Sequence, residues 1–285
     1  MTSELAISVR GLKKSYGKLQ AIDGVDLDVR RGEIFSLLGP NGAGKTSTVE
    51  ILEGYRSRDS GEISVLGADP RHGDTAWRAR IGIVLQSIGE FEELEVAEVV
   101  SHFAHYYPRP DDPDEVIERV GLGAKRNARA KTLSGGQRRR LDVALGIIGR
   151  PELLFLDEPT SGFDPEARRD FWQLVRDLVG RGTTILLTTH YLDEAEALAD
   201  RVAVIAKGRV VEVSAPATLA GRDKRPAIVR WQGEAGPERA ETNQPTRFVT
   251  ELAARFDGEI PGLSVARPTL EEIYLEMIGE GRAAS

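Results

Sequence analysis

Residues Gly39-Pro40-Asn41-Gly42-Ala43-Gly44-Lys45-Thr46 leave this chain few ways to fold. They fit the phosphate-binding pattern G-x-x-x-x-G-K-S/T at every fixed position. Glu33–Leu38 before them is a mostly apolar run of strand length, and Ser47–Glu53 after them reads as helix. Glycines let the backbone wrap an anion closely, and successive N–H groups at a helix start converge on it. Lys45 supplies a mobile positive charge for β- and γ-phosphates, and the Thr46 hydroxyl can ligate Mg²⁺. The alternative, a glycine-rich turn between a strand and a helix, leaves Lys45 and Thr46 unexplained.

The rest of the chain sets limits. Its 285 residues suit one large or two smaller domains, and 40% hydrophobic content is enough for a sizeable core. Cysteine is absent, which excludes disulfides and Cys-based metal sites. The first residues show no basic segment followed by an apolar one, so no signal peptide is expected. No apolar run reaches about 18 residues, so the chain is not expected to span a membrane by itself. A net charge of −7 argues against general nucleic-acid binding.

Alternating or apolar runs predict strands at residues 5–10, 25–29, 60–67 and 81–85, with Lys13–Lys18 as a turn. Character changes near residue 88. Helices are expected over 92–107, over 114–121 and from Ser134 to about Gly149, making a helical block of about 88–150 inside a strand-rich core. Strands return at 153–156 and 183–189, with helices over 165–180 and 192–199. Strands 202–206 and 209–213 follow, joined by the hairpin candidate Lys207-Gly208. From residue 221 the pattern weakens to strands at 227–231 and 263–266 and helices at 247–256 and 269–278. Thr269-Leu270-Glu271-Glu272 fits a capping box. The expected boundary separates residues 1–220 from a small accessory domain, 221–285.

Four strands end in groups suited to nucleotide chemistry: the phosphate loop, Gln86, Asp157-Glu158 and His190. If the strands are parallel neighbours, all four meet at one sheet edge, where open parallel sheets bind ligands. Asp157 with Thr46 would hold Mg²⁺, and Glu158 would orient or deprotonate water. Asp-Glu-Pro also reads as a plain turn. His190 can bond a γ-phosphate but alone is more simply a satisfied histidine, and Gln86 alone is more simply a capped strand end. Tyr16 can stack on adenine or merely pack. Ser134-Gly135-Gly136-Gln137 opens a helix with a serine N-cap and two bare glycines, so another anion can approach there. It stands on a different lobe from Lys45, which leaves open whether one chain closes both around one nucleotide. Arg138-Arg139-Arg140 behind it, and the acidic run Glu90, Glu92, Glu93, Glu95 and Glu98, are most simply solvent-facing.

Together these residues resemble the ATP-binding-cassette ATPases. Leu133-Ser134-Gly135-Gly136-Gln137 matches that family's signature motif in full. The family's order also recurs: aromatic Tyr16, Walker A loop 39–46 followed by Ser47, Gln86 of the Q-loop, the signature, Walker B 153–158, the D-loop Ser161-Gly162-Phe163-Asp164 and switch His190. Phe163 stands where leucine is usual, an apolar exchange. The resemblance implies an α/β fold: a RecA-like P-loop NTPase core with an antiparallel β subdomain, an inserted helical subdomain and a small α+β C-terminal domain. It implies ATP and Mg²⁺ as cofactors. Tyr16, Gly39–Ser47, Gln86, Ser134–Gln137 and Asp164 would contact nucleotide; Thr46, Gln86 and Asp157 would serve the metal; Lys45, Glu158 and His190 would be catalytic. It further implies a head-to-tail homodimer, or a pair with a second cassette, and a separate polytopic membrane permease. The chain would then be cytoplasmic and peripheral on the inner membrane face, with no nucleic-acid partner. The tail Arg267–Gly279 and the segment Phe103–Pro108 resemble the daunorubicin-resistance-type exporters, whose substrates include drugs, antibiotics, lipids, polysaccharides and ions. A subunit powering export, with drug or antibiotic efflux as one substrate class, is the leading reading. A soluble cassette ATPase acting on DNA or the ribosome is the alternative, and a P-loop kinase a third that leaves Leu133–Gln137 unexplained.

Overall fold

Leu153-Leu154-Phe155-Leu156 has no polar face, so a strand made of it must be covered on both sides. The computed structural model, which describes residues 4–84, 91–233, 235–256 and 259–283, shows that arrangement. The chain forms two units, one up to Val213 and one from Ser214, a division earlier than residue 220. In chain order the first unit contains β1 (Leu5–Tyr16), β2 (Leu19–Arg30), β3 (Ile34–Leu38), α1 (Lys45–Leu52), β4 (Ser60–Val65), α2 (Thr75–Arg78) and β5 (Ile81–Val84). Then come α3 (Val96–Ala104), α4 (Pro113–Arg119), α5 (Gly135–Ile147), β6 (Leu153–Asp157), α6 (Pro165–Gly180), β7 (Thr184–Thr189), α7 (Leu192–Leu198), β8 (Arg201–Ala206) and β9 (Arg209–Ser214).

Six strands form one sheet in the order β5-β6-β7-β3-β8-β9. The pairs β5–β6, β6–β7, β7–β3 and β3–β8 are all parallel. The four strands expected to carry the site are therefore parallel neighbours. Alternation along them sends residues to opposite faces. Leu154, Leu156 and Leu187 join Val99, Leu145 and Phe171 of the helices in one core. Leu153, Phe155 and Leu186 join Val49, Leu52 and the strands β1, β2 and β4 in the other. Those three strands make a separate antiparallel sheet, β2-β1-β4.

The expected turn at Lys13–Lys18 is shorter than predicted. Lys13 to Tyr16 continue β1, paired with β2 down to Tyr16 opposite Leu19. Polar side chains do not end a strand whose face is solvated: Lys14 reaches Asp59 at 3.1 Å and Lys13 lies 3.7 Å from Asp23. At Lys207 and Gly208 φ is 50° and 74°, the paired positive values that a tight hairpin turn requires. The helical block is α3, α4 and α5. Here one expectation fails: Arg139 is buried, because α5 is covered on most sides from Leu141 to Ile147 and turns that residue inward with them. Arg138 and Arg140 stay part-exposed, the first 3.5 Å from Glu92 and the second donating to the Val120 carbonyl.

The second unit holds β10 (Ala227–Gly233), β11 (Gly236–Thr242), α8 (Pro245–Ala253), β12 (Ser264–Ala266) and α9 (Leu270–Ala283). Its strands form an antiparallel sheet, β11-β10-β12, over a small core of Val229, Trp231, Leu252 and Ile260. Sequence pattern missed β11 because Glu238, Arg239 and Glu241 give it no apolar face; its ladder with β10 makes it a strand. The Thr269 capping box forms: Thr269 N–H donates to Glu272 at 2.8 Å, and Glu272 N–H returns to the Thr269 hydroxyl at 3.1 Å.

Candidate active site

The phosphate loop joins the end of β3 to α1. Gly44 caps α1 with φ 104°, and a Cβ there would lie 2.6 Å from the Ala21 carbonyl oxygen. Gly39 is held equally close, since a Cβ would meet the Ile205 carbonyl oxygen on β8 at 2.4 Å. Both glycines are thus required by neighbouring backbone, and Gly44 also by its left-handed conformation. Lys45 is buried in the first turn of α1. Its Nζ donates to the Gly39 carbonyl at 2.8 Å and the Pro40 carbonyl at 3.2 Å. Burial pulls its pKa below the usual lysine value, against the opposing pull of Glu158 and Asp157. Thr46 is exposed, while Asn41 and Gly42 open to solvent and Ala43 packs inward.

Asp157 ends β6 in register with Thr188 of β7. The Thr188 hydroxyl donates a short bond to Asp157 Oδ1 and accepts from Glu158 N–H at 3.1 Å. Glu158 sits in the left-handed region, φ 44°, a conformation that costs roughly 1–3 kcal/mol and persists where surroundings over-determine it. Its Oε1 is 3.8 Å from Lys45 Nζ, and its Oε2 is 3.2 Å from His190 Nδ1 without hydrogen-bond alignment. His190, part-exposed just beyond β7, packs against Tyr191 with ring centroids 4.1 Å apart. Lys45, Asp157, Glu158 and His190 therefore gather at one sheet edge, as the strand order requires. Gln86 lies outside the described residues.

Tyr16 lies beside this edge. Its hydroxyl donates to Ser47 at 3.2 Å, and Arg56 and Lys14 lie 5.3 and 5.5 Å from its ring centre. The bonds of Ser134 and Gln137 close on each other: Gln137 N–H donates to the Ser134 hydroxyl at 3.3 Å, and Ser134 N–H donates to Gln137 Oε1 at 3.1 Å. This capping box leaves Gly135 exposed at the start of α5, with open space around it. Asp164 N-caps α6, accepting from Glu166 and Ala167 N–H. An open cleft of about 500 Å³ runs between α5 and residues 158–163, lined by Gly135, Arg139, Asp142, Glu158 and Gly162. A larger cleft, about 650 Å³, lies at the opposite strand ends beside Asp111, Arg119, Arg150 and Glu152. Four of its charged residues are already paired: Asp111 with Arg119 at 2.8 Å and Arg150 at 3.3 Å, and Glu152 with Arg80 and Arg31. Sequence reasoning missed Thr188 and Arg139. Thr188 had a signal, a polar residue directly after the apolar run Ile185–Leu187 at the end of a strand; Arg139 had none, standing between two part-exposed arginines.

Over nearly its full length the chain is 38% identical to a daunorubicin resistance ATP-binding protein of Streptomyces coeruleorubidus, covering 98% of both chains. It belongs to the ABC transporter ATP-binding family. A family model described as ABC transporter matches residues 22–161. A Nod factor export ATP-binding protein of Ralstonia nicotianae is 36% identical, over 96% of this chain and 94% of its own. Among solved structures, cbiO1 of Clostridium perfringens, described as part of the ABC transporter complex cbiONQ, superposes with TM-score 0.70 at 28% identity, covering 76% of this chain and 91% of that one. The chain is thus an ABC-type ATPase that couples ATP hydrolysis to transport. Among the described residues, no helix is long and apolar enough to cross a membrane.

Proposed function

We propose that this chain is the ATP-hydrolysing subunit of an exporter, working as a head-to-tail pair on a separate membrane permease. The observation that carries the chemistry is the convergence of Lys45, Asp157, Glu158 and His190 at the ends of parallel β3, β6 and β7. The reaction is ATP plus water to ADP and phosphate. Residues 39–47 cradle the phosphates with backbone N–H groups, and Tyr16 lies where a ring can stack on the base. Lys45 exchanges the Gly39 and Pro40 carbonyls for β- and γ-phosphate oxygens. Glu158 orients and deprotonates the attacking water, and His190 bonds the γ-phosphate. Ser134–Gln137 and Asp164 serve the nucleotide held by the partner chain, consistent with the exposed Gly135.

The donors at the metal position fit Mg²⁺: the Thr46 hydroxyl and the Asp157 carboxylate are hard oxygen ligands, and Asp157 is held in place by Thr188. Gln86 is the third candidate ligand. The ion, when bound, neutralises charge developing on the phosphates.

Export follows from the named roles of the relatives, one in daunorubicin resistance and one in Nod factor export. Drug or antibiotic efflux is the substrate class we assign. The pair would lie on the cytoplasmic membrane face through the permease. Glu158→Gln tests the core of this reading. It should keep ATP binding and lower turnover at least about 100-fold, the scale of a lost general base. Wild-type steady-state phosphate release from that variant would sink the role.

A further inference from the structure

Arg139 is a buried charge that the chemistry above does not use. Its Nη2 donates to the Asp157 carbonyl at 2.8 Å and its Nε to the Pro159 carbonyl at 3.1 Å. These carbonyls belong to the residues on either side of Glu158. The Glu158 N–H is fixed separately by Thr188, through both its carbonyl and its hydroxyl at 3.1 Å. A left-handed glutamate needs such over-determination. The four bonds named here involve two neighbours, two with Thr188 and two with one guanidinium. The planar fork suits this task, because its donors keep a fixed mutual geometry. Asp142, one turn further along α5, places Oδ2 3.8 Å from Arg139 Nη1 and balances the charge; both residues are buried. The far end of the segment is tied down as well: the Thr160 hydroxyl donates at 2.8 Å to Glu194, which is buried on α7.

We infer that Arg139 is a positioning residue for Glu158, holding the carboxylate in its strained turn and tying it to the helix that begins at Ser134. Displacement of that helix start is carried one turn along α5 to the backbone around Glu158. The signature helix thereby sets the catalytic geometry of its own chain, in addition to its part in the partner's site. This rests on the role of Glu158 proposed above.

A double-mutant cycle on the whole chain tests it, with steady-state and single-turnover ATP hydrolysis as readouts. Arg139→Met should lower kcat about 10- to 100-fold, the scale of a misplaced catalytic group, and leave KM for ATP within about threefold. Arg139→Lys keeps the charge beside Asp142 but not the fork, so it should fall between wild type and Arg139→Met. In the Glu158→Gln background, Arg139→Met should cost no more than about twofold further, because residues acting as one unit are not additive. If Arg139→Met does not fold, Arg139→Lys decides by the same cycle. A full multiplicative loss in the double variant overturns the proposal. So does wild-type kcat in both Arg139 variants while Glu158→Gln alone remains impaired. Wild-type turnover in Glu158→Gln would overturn the role of Glu158, and the proposal with it.

Discussion

At the scale of single residues, left-handed backbone at the candidate site has two different origins, seen at Gly44 and Glu158. Gly44 adopts φ 104° where the phosphate loop enters α1, and Glu158 adopts φ 44° where β6 ends. Gly44 has no alternative, since any side chain would strike the Ala21 carbonyl oxygen at 2.6 Å. Gly44→Ala should therefore destabilise the chain by about 1–3 kcal/mol and weaken ATP binding at least about 10-fold, through backbone strain and a displaced loop. Thermal unfolding with and without nucleotide checks both; an unchanged melting temperature would contradict the close approach to Ala21. Glu158 is different, since its conformation is imposed by bonds from Thr188 and Arg139 rather than permitted by a missing side chain.

At the scale of elements, the opposite ends of the strands are held by Glu152. Its carboxylate accepts from Arg80 ahead of β5 at 2.6 Å and from Arg31 ahead of β3 at 2.8 Å. Its backbone continues the tie: Glu152 N–H donates to the Arg80 carbonyl, and Thr184 N–H of β7 donates to the Glu152 carbonyl, both at 2.9 Å. Bonding to Arg80 first, then to Arg31, holds its pKa down at about 2. A carboxyl whose folded pKa is depressed contributes stability above its unfolded pKa, near 4.5, and loses it as pH falls toward 2. Since the side chain is 41% exposed, solvent screening reduces the contribution to about 1 kcal/mol. Glu152→Gln should cost about that much at pH 7 and much less at pH 3. Denaturant unfolding of both proteins at the two pH values measures it, and an equal cost at both would refute the ion pairing.

At the scale of the whole molecule, the proposed head-to-tail pair would have each chain contribute its phosphate loop to one site and its signature motif to the other. Lys45→Ala and Ser134→Arg should each be inactive alone, since every site of either homodimer is damaged. Mixed in equal amounts, half of the dimers pair the two variants, and one of the two sites in each escapes both changes. Hydrolysis should recover toward about a quarter of wild type. No recovery on mixing would argue that each chain closes its own site.

Much of the site was legible because its parts are local. Gly39–Thr46 carries its own loop geometry in the glycines, Leu153–Asp157 announces a strand buried on both faces, and Ser134–Gln137 writes a helix cap. Each is a pattern of neighbours along the chain, and so can be read there. Sequence could state the convergence of four strand ends only as a condition. The order β5-β6-β7-β3 met it, because strand pairing is long-range and leaves no local mark. The same limit concealed Arg139. Its neighbours in sequence are two more arginines, while the carbonyls it bonds belong to Asp157 and Pro159. Only packing of α5 against the end of β6 turns a polar run into a buried fork beside Glu158.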